Sequence, residues 1–161
     1  MPVTLEDIAK LKSLNKALLA LDLGGKRIGV AASDRTWMIA STLEVIQHEK
    51  FTLSAKRVKD LYDEKKSCAI VVGLPLNMDG TKGPRAQSAA DFVRNFEELY
   101  PDIPIVLWDE RLSTVAVETI LVEADLSRKR RKEVIDKVAA NYILQGFLDR
   151  MENVCRSTTP L

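Results

Sequence analysis

The chain has 161 residues, 46% hydrophobic and 29% charged, which is the profile of a soluble globular protein with a single core. No apolar run approaches the roughly 20 residues of a membrane span, and the acidic opening Thr4-Leu5-Glu6-Asp7 is the wrong charge for a secretory signal, so a cytoplasmic location is expected. A net charge of +1 does not announce nucleic acid, and the scarcity of histidine (His48 alone) and cysteine (Cys68 and Cys155) argues against zinc or a disulfide framework.

Residues 4–15 read as a short amphipathic helix, with Thr4 and Asp7 as a capping pair and Leu5, Ile8 and Ala9 on one face. We take residues 1–16 as an N-terminal helical extension. Ala17 to Leu21 is a strand running into Asp22-Leu23-Gly24-Gly25-Lys26, and Arg27 to Ala32 is the next. Two glycines between two apolar runs predict a hairpin. Thr42 to Ile46 is a weaker third strand, and Phe51 to Asp63 a helix presenting Ala55, Val58 and Leu61. Cys68 to Gly73 is a continuous apolar run that suits a buried parallel strand, with Cys68 a buried free thiol. A loop dense in Asn, Asp, Gly and Pro follows, from Leu74 to Pro84. Next come a helix from Gln87 to Tyr100, a strand over Ile105 to Trp108, and a helix capped by Ser113 or Thr114. The last helix runs from Glu133 to Met151, and residues 153–161 form a flexible tail. This order predicts an α/β domain over residues 17–152. Its five-stranded mixed sheet combines an antiparallel meander of three strands with two parallel strands, flanked by helices.

Three acidic positions stand out. Asp22 ends one apolar run, and Asp109-Glu110 ends another. In open α/β sheets, ligands gather outside the carboxyl ends of strands. Asp136 precedes the stripe Ala139, Ala140, Ile143, Leu144, Phe147 by a helical turn, which puts an acid on a core-facing line. Each has a plainer explanation: a turn-former at Asp22, a helix cap or a partner for Arg111 at Asp109, and a helix-dipole contact at Asp136. Together they form an oxygen-donor set suited to Mg²⁺ or Mn²⁺. Two such ions roughly 3.5–4 Å apart can drive phosphodiester hydrolysis. Five consecutive bases, Arg128-Lys129-Arg130-Arg131-Lys132, are either a solvated loop or a contact to a phosphate backbone. Trp108 and Tyr142 could stack on bases, although core packing suits Trp108 better.

The string Asp22-Leu23-Gly24-Gly25-Lys26-Arg27-Ile28-Gly29-Val30-Ala31 resembles the first motif of the YqgF (also RuvX) family. Val72 to Thr81, Asp109 to Thr114 and Ile135 to Ala140 resemble its later motifs, in order, over residues 17–150. The resemblance implies an RNase H-like fold related to the junction resolvase RuvC. It also implies a metal-dependent nuclease that processes the 5′ end of precursor 16S ribosomal RNA. Carried over, Asp22, Asp109 or Glu110, and Asp136 are the catalytic and metal-binding acids; neighbours on a strand face opposite ways, so only one of Asp109 and Glu110 is expected to reach the metal. Lys26, Arg27, Asn77, Thr81, Lys82, Arg111, Arg128, Lys129, Arg130 and Arg131 are the expected contacts to nucleic acid. Lys82 stands where many members carry Glu, a change that favours phosphate. The competing readings are a Holliday junction resolvase acting on branched DNA, a non-catalytic RNA-binding assembly factor, and a sugar-kinase relative. The last is disfavoured because such folds need two domains. Either a monomer or a homodimer is compatible with the sequence.

Overall fold

The computed structural model describes residues 4–24, 26–74, 83–109 and 139–152. Five strands form one sheet: β1 (Ala17–Leu23), β2 (Arg27–Ser33), β3 (Ala40–Gln47), β4 (Ser67–Leu74) and β5 (Ile105–Asp109). Their spatial order is β3-β2-β1-β4-β5. β1–β2 and β2–β3 pair antiparallel, and β1–β4 and β4–β5 pair parallel. This is the α/β mixed sheet, three antiparallel and two parallel strands, expected from the order of elements. The described helices are α1 (Leu5–Ala9), α2 (Phe51–Glu64) and α3 (Pro84–Leu99), with residues 139–152 forming α4.

β1 from Ala17 to Leu21 and β4 from Cys68 to Leu74 are continuous apolar runs because helices cover both faces of the sheet. On one face Leu18, Ala20, Val71 and Val106 meet Ala140, Ile143, Leu144 and Phe147 of α4. On the other Leu19, Leu21, Val72 and Ile105 meet Val58 and Leu61 of α2 and Phe92, Val93 and Phe96 of α3. From Leu18 to Leu21 in β1, from Ala69 to Val72 in β4 and along β5, successive residues therefore alternate between the two cores with period two.

Local chemistry fixes the ends of the elements. Thr4 and Asp7 form the expected capping box, each side chain accepting the other's N–H at 3.2 Å. These bonds hold the Asp7 carboxyl below its usual range. The helix is α only to Ala9 and continues as a 3₁₀ turn over Lys10–Leu14. Ile8 is fully buried and joins the α4-side core. α3 begins at Pro84, three residues before the expected start, because proline at the first helical position lacks only an N–H that would have no partner there. Gly24 turns the β1–β2 hairpin by donating to the Arg27 carbonyl at 2.9 Å. A Cβ at Gly24 would lie 2.8 Å from that carbonyl oxygen, so the close approach admits only glycine.

Two polar contacts lock the layers. Arg57 of α2 grips Glu44 of β3 through two parallel bonds, at 2.9 and 2.6 Å. That grip draws the Glu44 carboxyl below its normal range against the opposing effect of burial. Gln145 of α4 accepts from the Ala40 N–H at 3.0 Å and donates to the Met38 carbonyl at 3.2 Å, tying the helix to the β2–β3 turn. Cys68 is a buried free thiol, as expected. Burial pushes its pKa up, against smaller opposing effects.

Candidate active site at the carboxyl ends of the strands

The parallel strands set the geometry. Leu21 pairs with Val72 and Val72 with Leu107, so the three strands are in step across the sheet. One residue further along, Gly73 of β4 pairs with Trp108 of β5, and continuing the β1–β4 register by one residue sets Asp22 beside Gly73 in the same row. With neighbouring strands roughly 4.8 Å apart, the ends of β1 and β5 are separated by about 10 Å across β4.

Alternation decides which face each side chain takes. Leu18 and Ala20 belong to the α4-side core, so Asp22, in the same phase, faces α4. Trp108 packs against that same core, its ring meeting Phe147 edge-on at a centroid distance of 5.6 Å. Core packing, not base stacking, is therefore what Trp108 does. Asp109 is out of phase: Ile105 and Leu107 belong to the α2–α3 side, and so does the exposed Asp109. Asp22 and Asp109 thus lie at the ends of two parallel strands separated by β4, on the same rim but on opposite faces.

Asp22 is flanked by glycine on both sides of its row. Its direct partner on β2 is Gly29, and on β4 the position beside it is Gly73, in phase with Val71 of the α4-side core. Neither neighbour has a side chain to fill the space over the carboxylate. Arg27, in phase with Gly29, brings a guanidinium to the same face one hairpin step away. Lys26 is exposed at the hairpin tip, its carbonyl accepting from the His48 N–H at 2.9 Å. The two glycines were not picked out from sequence as part of the site; only the strand register reveals them.

Of the expected site residues, Asp22, Lys26, Arg27 and Asp109 are described and lie at this one rim. Glu110, Arg111, Asp136, Asn77, Thr81, Lys82, Arg128, Lys129, Arg130 and Arg131 lie outside the described residues. Among the described residues no three His, Cys, Asp or Glu side chains gather as a metal-binding group. The described donor in that row is nevertheless of the right kind. Asp22 offers carboxylate oxygens, His48 lines the opposite face, and Cys68 lies at the far end of β4. A hard oxygen donor without soft competitors suits Mg²⁺ or Mn²⁺.

The family model described as "RuvX: Holliday junction resolvase" matches residues 16–150. A protein of Ruegeria sp. (strain TM1040) named "Putative pre-16S rRNA nuclease" is 53% identical over 149 residues, covering 92% of this chain and 94% of its own. A protein of the same name from Phenylobacterium zucineum (strain HLK1) is 51% identical over 153 residues, covering 94% and 98%. Among solved structures, the RuvC of T. thermophilus in complex with a Holliday junction substrate aligns at 15% identity. Its TM-score is 0.48, over 84% of this chain and 96% of that one. A match that runs from just before β1 into α4 spans every strand of the sheet, and with relatives more than half identical along nearly their whole length, this chain belongs to the RuvX family.

Proposed function

We propose that this protein is a divalent-metal-dependent nuclease that trims the 5′ end of precursor 16S ribosomal RNA, with Asp22 at the centre of its site. Nuclease activity follows from the family and from the names its relatives carry. The observation that carries the rest is the row itself: a carboxylate at a strand end, flanked on both sides by glycine, with Arg27 on the same face.

In this reading Asp22 and Asp136 are two of the acids that hold metal, and Glu110 is the third. Asp109 sits in the phase of the α2–α3 face, opposite that of Asp22, which favours Glu110 over its neighbour. Bound Mg²⁺ or Mn²⁺ supplies Lewis acidity toward the scissile phosphate. The chain's own residues do the positioning. Arg27 and Lys26 hold the backbone phosphates beside the hairpin, and Asn77, Thr81, Lys82, Arg111 and the bases Arg128, Lys129, Arg130 and Arg131 extend that grip. Gly29 and Gly73 let the phosphate approach the carboxylate closely.

The test is cleavage of a pre-16S 5′ fragment with Mn²⁺ or Mg²⁺. Asp22→Asn is expected to lower the rate by at least 100-fold, and Glu110→Gln far more than Asp109→Asn. Cleavage that survives Asp22→Asn unchanged rules out the site, and a larger loss from Asp109→Asn reverses the choice between the neighbours. Offering a four-way DNA junction in parallel separates the rRNA reading from junction resolution.

A further inference from the structure

Behind the end of β1, on the face opposite Asp22, the structure holds a cavity of about 290 Å³. Leu23 and Ile28 form its floor, Phe92 of α3 and the His48 ring its aromatic corner, and Arg85 and Ser88 of α3 its polar edge. The two rings meet edge to face at 6.0 Å and 69°. His48 is fixed there by a 2.7 Å hydrogen bond between Nδ1 and the Ser54 hydroxyl, so its Nε2 is the ring's other polar atom. Arg85 and Ser88 are exposed, whereas Phe92 is nearly buried. Nothing in the catalytic arrangement described above uses this cavity.

We propose that the cavity receives one nucleobase of the substrate strand, from a nucleotide flanking the phosphate held at Asp22. Three features commit it to that occupant. Its size lies at the lower end of the roughly 300–1,000 Å³ typical of ligand pockets, which suits one flat heterocycle. Its walls are apolar and aromatic with a few polar groups on one edge, which is how unpaired bases are stacked and then read along their edges. Its position is tied to the cleavage centre by chain connectivity: Leu23 follows Asp22 directly, so the two side chains leave the strand on opposite faces at the same rim. A strand crossing that rim with a phosphate over Asp22 can therefore turn a neighbouring base down onto Leu23 and Phe92. Arg85, at the first turn of α3, supplies positive charge for the backbone of that same nucleotide. A pocket of this kind gives a preference for unpaired RNA beside the cut, because a base held in a duplex is unable to turn in.

The proposal rests on Asp22 marking the cleavage site, so the test reads binding as well as cleavage. Oligoribonucleotides spanning the pre-16S 5′ region, each carrying one 2-aminopurine at a successive position, are titrated with the protein and with its Asp22→Asn variant. Quenching confined to one or two adjacent positions, alike in both proteins, is the expected result. Replacing that nucleotide by an abasic one is expected to weaken binding roughly ten-fold. Ser88→Phe, which fills the cavity from an exposed helix position, is expected to abolish the quenching and cause a similar loss on intact RNA, with no further loss on the abasic strand. Phe92→Leu keeps the apolar packing and removes the stacking face, and is expected to reduce the quenching partially. Uniform or absent quenching, an abasic strand bound as tightly as the intact one, or quenching unchanged in both variants overturns the proposal. Localised quenching without metal-dependent cleavage by the unsubstituted protein keeps the pocket and rejects the nuclease reading.

Discussion

The room around the Asp22 carboxylate comes from its neighbours. In a sheet, the side chains flanking a residue on one face belong to the strands on either side, about 5 Å away. Here both flanking positions, Gly29 and Gly73, lack a side chain. Gly73→Val would put a branched side chain on the row between Asp22 and Trp108. We expect a stability loss of about 1–3 kcal/mol from overpacking and a fall in kcat/KM of at least ten-fold, since small displacements of a reacting group carry large rate penalties. Thermal denaturation and single-turnover cleavage measure the two effects separately, and full activity in a folded Gly73→Val protein would remove the glycine from the argument. The acids at the strand ends were legible in the sequence, because an apolar run that stops at Asp22 or Asp109 announces itself. Their faces were not. Strands buried on both sides are apolar along most of their length, so β1 and β4 carry no alternation from which the phase of an acid can be read. The glycines and the pocket under Leu23 were hidden for a related reason: both are assembled from residues distant in sequence, and only pairing brings them together.

Among the elements, the connections carry most of the individual polar chemistry. The β2–β3 turn is organised by Asp34, whose Oδ1 accepts the Met38 and Ile39 N–H groups at 2.8 and 3.0 Å while the Thr36 hydroxyl donates to Oδ2. Burial pushes the Asp34 carboxyl up, but these hydrogen bonds together outweigh it and bring the group down to about 2. The unfolded chain has a value of about 3.9. The folded pKa is the lower, so the contribution of Asp34 to stability is complete above about pH 4 and is lost as the pH falls towards 2. Solvent around this exposed side chain limits the effect to about 1 kcal/mol. Asp34→Asn keeps an acceptor for the turn but does not ionise. It should be slightly less stable than the parent at pH 7 and converge with it between pH 4 and pH 2, as read by urea denaturation across that range. A gap that stays constant with pH would show that the charge on Asp34 contributes nothing. β3 begins at Ala40, earlier than its apolar pattern suggested, because its pairing with β2 extends to Ser33 and Ala40, where Gln145 from α4 also accepts from the Ala40 N–H. A long-range side-chain contact of that kind leaves no local trace.

For the whole molecule, the sheet separates two cores, and α4 closes the one on the face that Asp22 shares. Phe147 is the largest fully buried side chain on that helix, and it meets Trp108 of β5 edge-on. Gly146 beside it faces the same indole, the position of its missing Cβ lying at van der Waals distance, 3.8 Å, from the Trp108 ring nitrogen. The same contact therefore fixes the end of β5, where the second strand-end acid follows, and the height of α4 above Asp22. Removing the ring should show in both stability and catalysis. Phe147→Ala is expected to cost about 3–5 kcal/mol and to lower Tm by roughly 10 °C. At a temperature where the variant is still folded, metal-dependent cleavage should also fall, with a higher metal concentration needed for half-maximal rate because the acids are no longer held in register. Phe96→Leu, on the α2–α3 side, should lower stability by a smaller amount and leave that metal requirement unchanged. If both variants shift the metal requirement equally, the two cores are not separable, and α4 has no particular hold on the site. If only Phe147→Ala shifts it, the face of the sheet that Asp22 occupies is set by the packing of α4 against the end of β5.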